Sequence, residues 1–209
     1  MLIRVVIILS LPLLCATCAE TVTLKPDHEV SNDAFFCESD PTRNYEGDGI
    51  ISVQPPCDTH QRLQAYLEFT ELDDYLGWQV DSAELRLYIN NVVSYGSWFL
   101  AAGDAAWDEN TLNWDNRPGA VAGSEVEHVN PTQMETWLSL NVTTHVEEWL
   151  DGSLPNHGFH LYDNDWWSSY WSAIAADEGG DFAKFPQLIL DIEDSAVEPV
   201  SWGVIKALE

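Results

Sequence analysis

Three observations predict an all-β fold for this sequence, an antiparallel β-sandwich with one short helix. Apolar and polar residues alternate over short runs, clearest at 63–70 and 80–89; period two puts successive side chains on opposite faces, as in a half-buried antiparallel strand. Clusters of Gly, Pro, Asn and Asp separate these runs, and only 144–150 reads as helix, a balance that favours a sandwich over an α/β sheet. The 209 residues, 45% of them hydrophobic, suffice for one sizeable core and one domain.

Taken in order, 21–24 alternates and stops before Pro26, as an edge strand does because proline cannot donate to a ladder. A second strand at 33–37 leads into the turn-rich loop 40–48. Ile50, Ile51 and Val53 then begin a strand that Pro55 and Pro56 break. In 63–70, Leu63, Ala65, Leu67 and Phe69 share one face, with Tyr66 and Glu68 on the other. After a connection at 73–77, 80–89 points Ala83, Leu85, Leu87 and Ile89 inward and Glu84, Arg86 and Tyr88 outward. Further strands are expected at 97–102, 126–129 and 137–142. Thr144 and Glu147 fit a capping box ahead of the apolar stripe Val146, Trp149 and Leu150, and Asp151-Gly152 ends that helix. Phe159 and Leu161, then Tyr170, Ser172, Ile174 and Ala176, predict paired strands around the loop 163–169. Leu188, Leu190 and Ile192 form the last strand.

The stretch 107–119 organises the chain. Trp107, Leu112 and Trp114 are large apolar anchors set among the turn formers Asp108, Asn110, Asp115, Asn116, Pro118 and Gly119, a pattern that suits a loop pinned across a sheet. Alternation over 111–114 predicts a short strand with Leu112 and Trp114 on its core face. Trp107, Glu109, Thr111, Trp114 and Pro118 resemble the Trp-x-Glu-x-Thr-x-x-Trp-x-x-x-Pro signature of the DNRLRE domain family, which is also classed as family 96 of the carbohydrate-binding modules. The resemblance extends over 40–53, with its Pro-Thr-x-Asn-Tyr-x-Gly loop, and over 64–69, 80–89, 138–161 and 186–192. It implies a secreted jelly-roll sandwich, commonly attached to polysaccharide-degrading or surface proteins. Since one fold hosts many ligands, the fold transfers better than the ligand.

Residues 1–19 carry Arg4, an apolar run and the small residues Ala16-Thr17-Cys18-Ala19, the pattern of a secretory signal peptide cleaved near Ala19. A membrane anchor would need about 20 apolar residues, and acylation at Cys15 or Cys18 is the other alternative. With the leader gone, Cys37 and Cys57 remain; in an exported chain such a pair is expected to be bridged, the rival being a metal pair. A bridge closing about 20 residues would stabilise by ~3 kcal/mol. The domain itself is expected over 20–192. The segment 193–209 then reads as an acidic linker and a short tail, either a fraying end or a docking or export signal with Trp202, Ile205 and Leu208 as its apolar contacts and an envelope or matrix protein as its partner.

The net charge of −27 comes from 35 acidic and 8 basic residues. Phosphate binding needs clustered Lys and Arg, so nucleic acid is excluded as a partner, and anionic membrane surfaces are disfavoured. The carboxylates fit a solvated surface or ion binding. Among the latter, Asp40, Asn44, Glu46 and Asp48 are the best local set for calcium, which takes six to eight oxygen ligands, with Asp163 and Asp165 next; the alternative is turn residues bonding their own backbone.

For sugar, the densest constellation is Asp163-Asn164-Asp165-Trp166-Trp167 and on to Trp171. Trp166 and Trp167 offer flat apolar faces for stacking, Asp163, Asn164 and Asp165 can take hydroxyls, and Trp171 is the expected core member. The His157-x-x-His160 spacing is rejected as a metal pair because residues three apart on a strand face opposite ways. Nucleophile elbows and phosphate-binding glycine loops are absent from the sequence. The chain therefore reads as a secreted, non-catalytic module attaching to extracellular or cell-wall polysaccharide. The alternative is a structural surface protein assembling through acidic, calcium-linked contacts.

Overall fold

The structure, a computed structural model, describes residues 19–25, 31–54, 62–93, 98–125, 127–129, 133–162, 171–176 and 181–194. Residues 1–18 of the expected leader, Cys57, the loop 163–170 with its candidate sugar-binding residues, and the tail beyond 194 lie outside the described residues.

Two antiparallel sheets face each other. The first runs β1 (Ala19–Leu24), β11 (Gln187–Glu193), β5 (Gln79–Val93), β10 (Trp171–Ala175) and β3 (Ile50–Val53), with β8 (Thr136–Asn141) also paired to β5. The second runs β2 (Ser31–Cys37), β4 (Leu63–Phe69), β9 (Phe159–Tyr162), β6 (Trp98–Ala102) and β7 (Glu127–Val129). From β1 to β6 each successive strand lies in the other sheet. This alternation is what lets a period-two sequence bury one face of every strand between the layers. Ala65, Leu67 and Phe69 thus meet Leu85, Leu87 and Ile89 in one core, joined by Phe159, Leu161, Leu188, Leu190 and Ile192, in agreement with the alternation read from the sequence.

Four local expectations are corrected. The segments 159–162 and 171–175 do not pair with each other: β9 lies between β4 and β6, and β10 between β3 and β5, so the two strands belong to different sheets. β9 has both edges occupied and all four of its residues buried. Residues 111–114 form no strand, because short polar side chains bond the backbone first. Asp108 accepts from the Asn110 amide at 2.9 Å, Asn113 from the Asp115 amide at 3.0 Å, and Asn116 from the Asn113 amide at 2.8 Å. The helix α1 (Thr143–Leu150) starts one residue earlier than its expected cap, with Val142 at the N-cap and no side-chain cap bond. The Thr143 amide donates to Asn141 Oδ1 at 3.0 Å, while Thr143 Oγ1 accepts from the Ala83 amide at 3.0 Å, tying the helix to β5. The connection after β4 contains a 3-10 helix, Thr70–Tyr75.

The fourth expectation concerns β4. Alternation predicted a strand half open to water, yet Tyr66 has no exposed surface and Gln64 is also buried. A second, smaller core covers this outer face, built from Ala34, Phe36, Tyr66 and Leu112 with Trp107 and Trp114 packed against it. His160 of β9 belongs to the same layer, stacked on Tyr66 with ring centroids 4.6 Å apart and planes within 5°. Its Nε2 lies 3.3 Å from Gln64 Oε1.

Burial, aided by the Arg117 charge, pushes the His160 pKa down to about 3. The folded ring is neutral while the unfolded one titrates near 6.5, so its stabilising contribution is present above that value and is lost as pH falls below it. We expect this residue alone to remove about 2 kcal/mol between pH 7 and pH 5. Urea unfolding of wild type and His160→Phe at both pH values measures it; equal pH dependence in the two proteins would refute the assignment.

Candidate functional site

The 107–119 stretch is held at many points. The Trp107 indole N–H donates to the His157 carbonyl at 3.1 Å, and its ring lies 5.5 Å from Tyr66. The Tyr66 hydroxyl donates to the Gly119 carbonyl at 2.5 Å. Trp114 meets Phe36 edge-on at 5.9 Å, and the Arg117 guanidinium lies 3.7 Å over the Trp114 ring while donating to its carbonyl. Glu109 accepts the Asp33 amide at 2.9 Å. The signature residues therefore fasten the loop to the sheet and leave Trp107 and Trp114 half-buried, so the motif is a device of folding. A cleft of about 310 Å³ beside Trp107 is lined by Asp108, Thr111 and Asn116, whose polar groups are already engaged in the turns.

The loop 40–48 is the other half of this fastening. Asn44 Nδ2 donates to the carbonyls of Glu109 at 2.6 Å and Leu112 at 2.9 Å, and its Oδ1 accepts the Glu46 amide at 2.9 Å. Of the residues read as calcium ligands, Asn44 is thus committed to backbone, and Asp48 faces Arg43 at 3.8 Å. Asp40 accepts the Arg43 amide through its own carbonyl at 3.1 Å. Among the described residues, no three His, Cys, Asp or Glu side chains gather where they could hold a metal ion. Cys37, also near this loop, is buried at the end of β2, its Sγ 3.4 Å from Ser39 Oγ.

The candidate sugar loop 163–170 leaves from Tyr162, the last residue of β9. Tyr162 stacks on Phe99 at 5.5 Å and donates its hydroxyl to Glu125 at 2.6 Å. Burial first, then the Glu125 hydrogen bond and charge, push the Tyr162 pKa well above the usual phenol value, so it stays a neutral donor. The turn 121–125 that carries Glu125 forms, with Thr144, His145 and Glu148 of α1, a cleft of about 330 Å³.

Two other surfaces were legible only in part. The expected outward face of β5 does carry Glu84, Arg86 and Tyr88, but its partner on β8 was not: Tyr88 lies directly opposite Trp137, ring to ring at 5.4 Å. Arg86 covers Trp137 at 5.0 Å and Lys184 covers Tyr88 at 4.9 Å. A cleft of about 390 Å³ at the far end of the helix is lined by Trp78, Asp81, Glu147 and Asp151. The Tyr88–Trp137 pair becomes visible only through strand register, and the place of Trp78 beside α1 only through helix docking. His145 was passed over because the helix was read for its apolar stripe.

Asn44→Ala removes two donors to backbone carbonyls and one acceptor. We expect it to destabilise the fold by about 2–3 kcal/mol, with Asn44→Asp also destabilising because a carboxylate cannot donate to the two carbonyls; calorimetric melting of both variants checks this.

Comparison with curated proteins finds no match to this chain. Residues 24–190 match the model of carbohydrate-binding module family 96, a span that contains both core layers and the fastened 107–119 loop. This chain belongs to carbohydrate-binding module family 96.

Proposed function

We propose that the chain is an exported, non-catalytic module that attaches to extracellular or cell-wall polysaccharide. The match to the family over 24–190 carries this reading. In it, 1–19 is a cleaved leader, 20–192 the module, and 193–209 a linker and tail. Among the described residues, no helix is long and apolar enough to cross a membrane. Stacking is assigned to Trp166 and Trp167, and hydroxyl orientation to Asp163, Asn164 and Asp165. What supports the loop as the site is its root, where a buried aromatic stack and a short Tyr162–Glu125 bond hold one end rigidly. Sites built on rigid elements position their contacts best.

The proposed Cys37–Cys57 bridge draws support from register. Cys37 lies opposite Leu63 on β4, and Gln54, just before β3 gives way to the segment with Cys57, bridges to that same Leu63. Gln54, before the 55–61 segment, therefore pairs with the β4 residue that lies opposite Cys37, and Arg62, after it, immediately precedes that residue. Intact-mass analysis of exported, unreduced protein is expected to show both cleavage near Ala19 and a chain lighter by one pair of hydrogens; two free thiols would contradict the bridge.

Titration of a polysaccharide panel against wild type, Trp166→Ala and Trp167→Ala tests the loop. Loss of one indole from a shallow sugar site is expected to weaken binding by about 1–3 kcal/mol with the melting temperature unchanged. Wild-type affinity in both variants would move the site elsewhere, and failure of the wild type to bind any glycan would count against the module reading.

A further inference from the structure

His145 is 2% exposed, in ring contact with Trp149 and Phe159 at 5.9 Å each, and neither of its nitrogens has a hydrogen-bond partner. The Ser124 backbone lies near enough to favour protonation against burial, without hydrogen-bond geometry. A phenylalanine would fill this place among aromatics without leaving two buried polar atoms unsatisfied, an arrangement that costs about 1–3 kcal/mol. Buried polar groups in folded proteins have partners, and packing here offers the ring no more than the Ser124 backbone, outside hydrogen-bond geometry. The ring lines the cleft of about 330 Å³ together with Ser124, Glu125, Thr144 and Glu148.

We propose that this cleft takes one uncharged sugar residue of a polysaccharide chain, with the His145 imidazole and the Glu125 and Glu148 carboxylates engaging its hydroxyls. The assignment rests on the module reading and adds, besides the 163–167 loop, a further subsite and the charge class of its ligand. A cleft of this volume is at the lower end of those that hold small molecules, about 300–1,000 Å³. A neutral imidazole donates at one nitrogen and accepts at the other, matching a hydroxyl, which does both. Carboxylates accept hydroxyl protons in short, strong bonds. No Lys or Arg is among the lining residues. An acidic sugar would therefore bring its carboxylate against two others, on a chain whose net charge is −27. Glu125 also accepts the Tyr162 hydroxyl at 2.6 Å, which couples one wall of the cleft to the last residue of β9.

Isothermal titration of the full chain with neutral gluco-, xylo- and manno-hexasaccharides, a glucosamine hexamer and hexauronates tests the proposal. His145→Phe and Glu148→Gln are carried beside wild type, with melting recorded for each. The expected result is wild-type binding to a neutral series, about tenfold weaker in Glu148→Gln and at least tenfold weaker in His145→Phe. The melting temperature of His145→Phe is expected to hold or rise, since the change removes unsatisfied polar atoms. Neutral-sugar binding undiminished in both variants would overturn the site and leave the module reading intact. Preference for hexauronates or the glucosamine hexamer would overturn the charge class. No binding of any probe by wild type would instead strike the module reading itself. Should His145→Phe fail to fold, Glu148→Gln, at a half-exposed helix position, decides alone.

Discussion

The fold depends on covering the outer face of the five-stranded sheet. A sandwich ordinarily buries one face of each sheet and leaves the other to water, but here Tyr66 on the outer side of β4 and His160 on that of β9 are as buried as the residues beneath them. What excludes water is a loop without regular structure, 104–119, and a loop can do this only if its backbone groups are satisfied locally. Asp108, Asn113 and Asn116 bond their own turns. Asn44 reaches across to two carbonyls, and the buried hydroxyl of Tyr66 finds Gly119. Close approach also requires glycine at two points. A Cβ on Gly103 would stand 2.8 Å from the His157 carbonyl oxygen, and one on Gly158, where φ is +75°, 2.5 Å from that of Leu67. The family signature is thus mainly a description of how this second layer is fastened, and the aromatic residues within it are taken up by packing.

What the sequence disclosed follows from the range of the interactions involved. Period two is local, so the inward sets of β4 and β5 were legible residue by residue. The 107–119 stretch was legible as a loop across a sheet because its anchors and its turn formers lie in one run. Pairing is not local. That β9 and β10 go to different sheets depends on which edges earlier strands leave open, and no spacing within 159–176 records it. The expectation of a strand at 111–114 failed because alternation of polar and apolar residues also arises when Asn and Asp bond the backbone on one side of a turn while Leu112 and Trp114 face a core on the other. The capping box failed because the helix already begins at Thr143, whose amide is taken by Asn141 Oδ1, so Thr144 sits inside the first turn instead of at the cap.

The few cations share one disposition. Lys25 lies 4.8 Å over Phe182, Arg43 4.3 Å over Tyr45, Arg62 5.8 Å and Arg117 3.7 Å from Trp114, Arg86 5.0 Å over Trp137 and Lys184 4.9 Å over Tyr88. Every Lys and Arg among the described residues therefore sits on an aromatic ring. The attraction to the ring face contributes about 0.5–1 kcal/mol at an exposed site, and each long apolar stem also covers ring surface. Burial lowers the Arg117 pKa from its usual value, and the nearby Arg62 charge adds to the effect, opposed by the Glu38 and Asp115 carboxylates; Glu38 also lies 4.0 Å from Arg62.

This disposition bears on recognition. A ring whose face carries a guanidinium or ammonium is closed to a sugar on that side, so Trp137, Tyr88 and Trp114 are poorer stacking platforms than their number implies. The same contacts tie the cations to the protein surface, where the surrounding carboxylates outnumber them. A polymer approaching this chain meets a predominantly negative field, screened beyond about 10 Å at moderate salt, and must be held by short-range hydrogen bonds and by apolar faces. Hydroxyl-rich neutral chains satisfy both conditions. Phosphate- and carboxylate-rich ones are repelled by that field unless a cation intervenes, and every Lys and Arg among the described residues is already set on an aromatic ring.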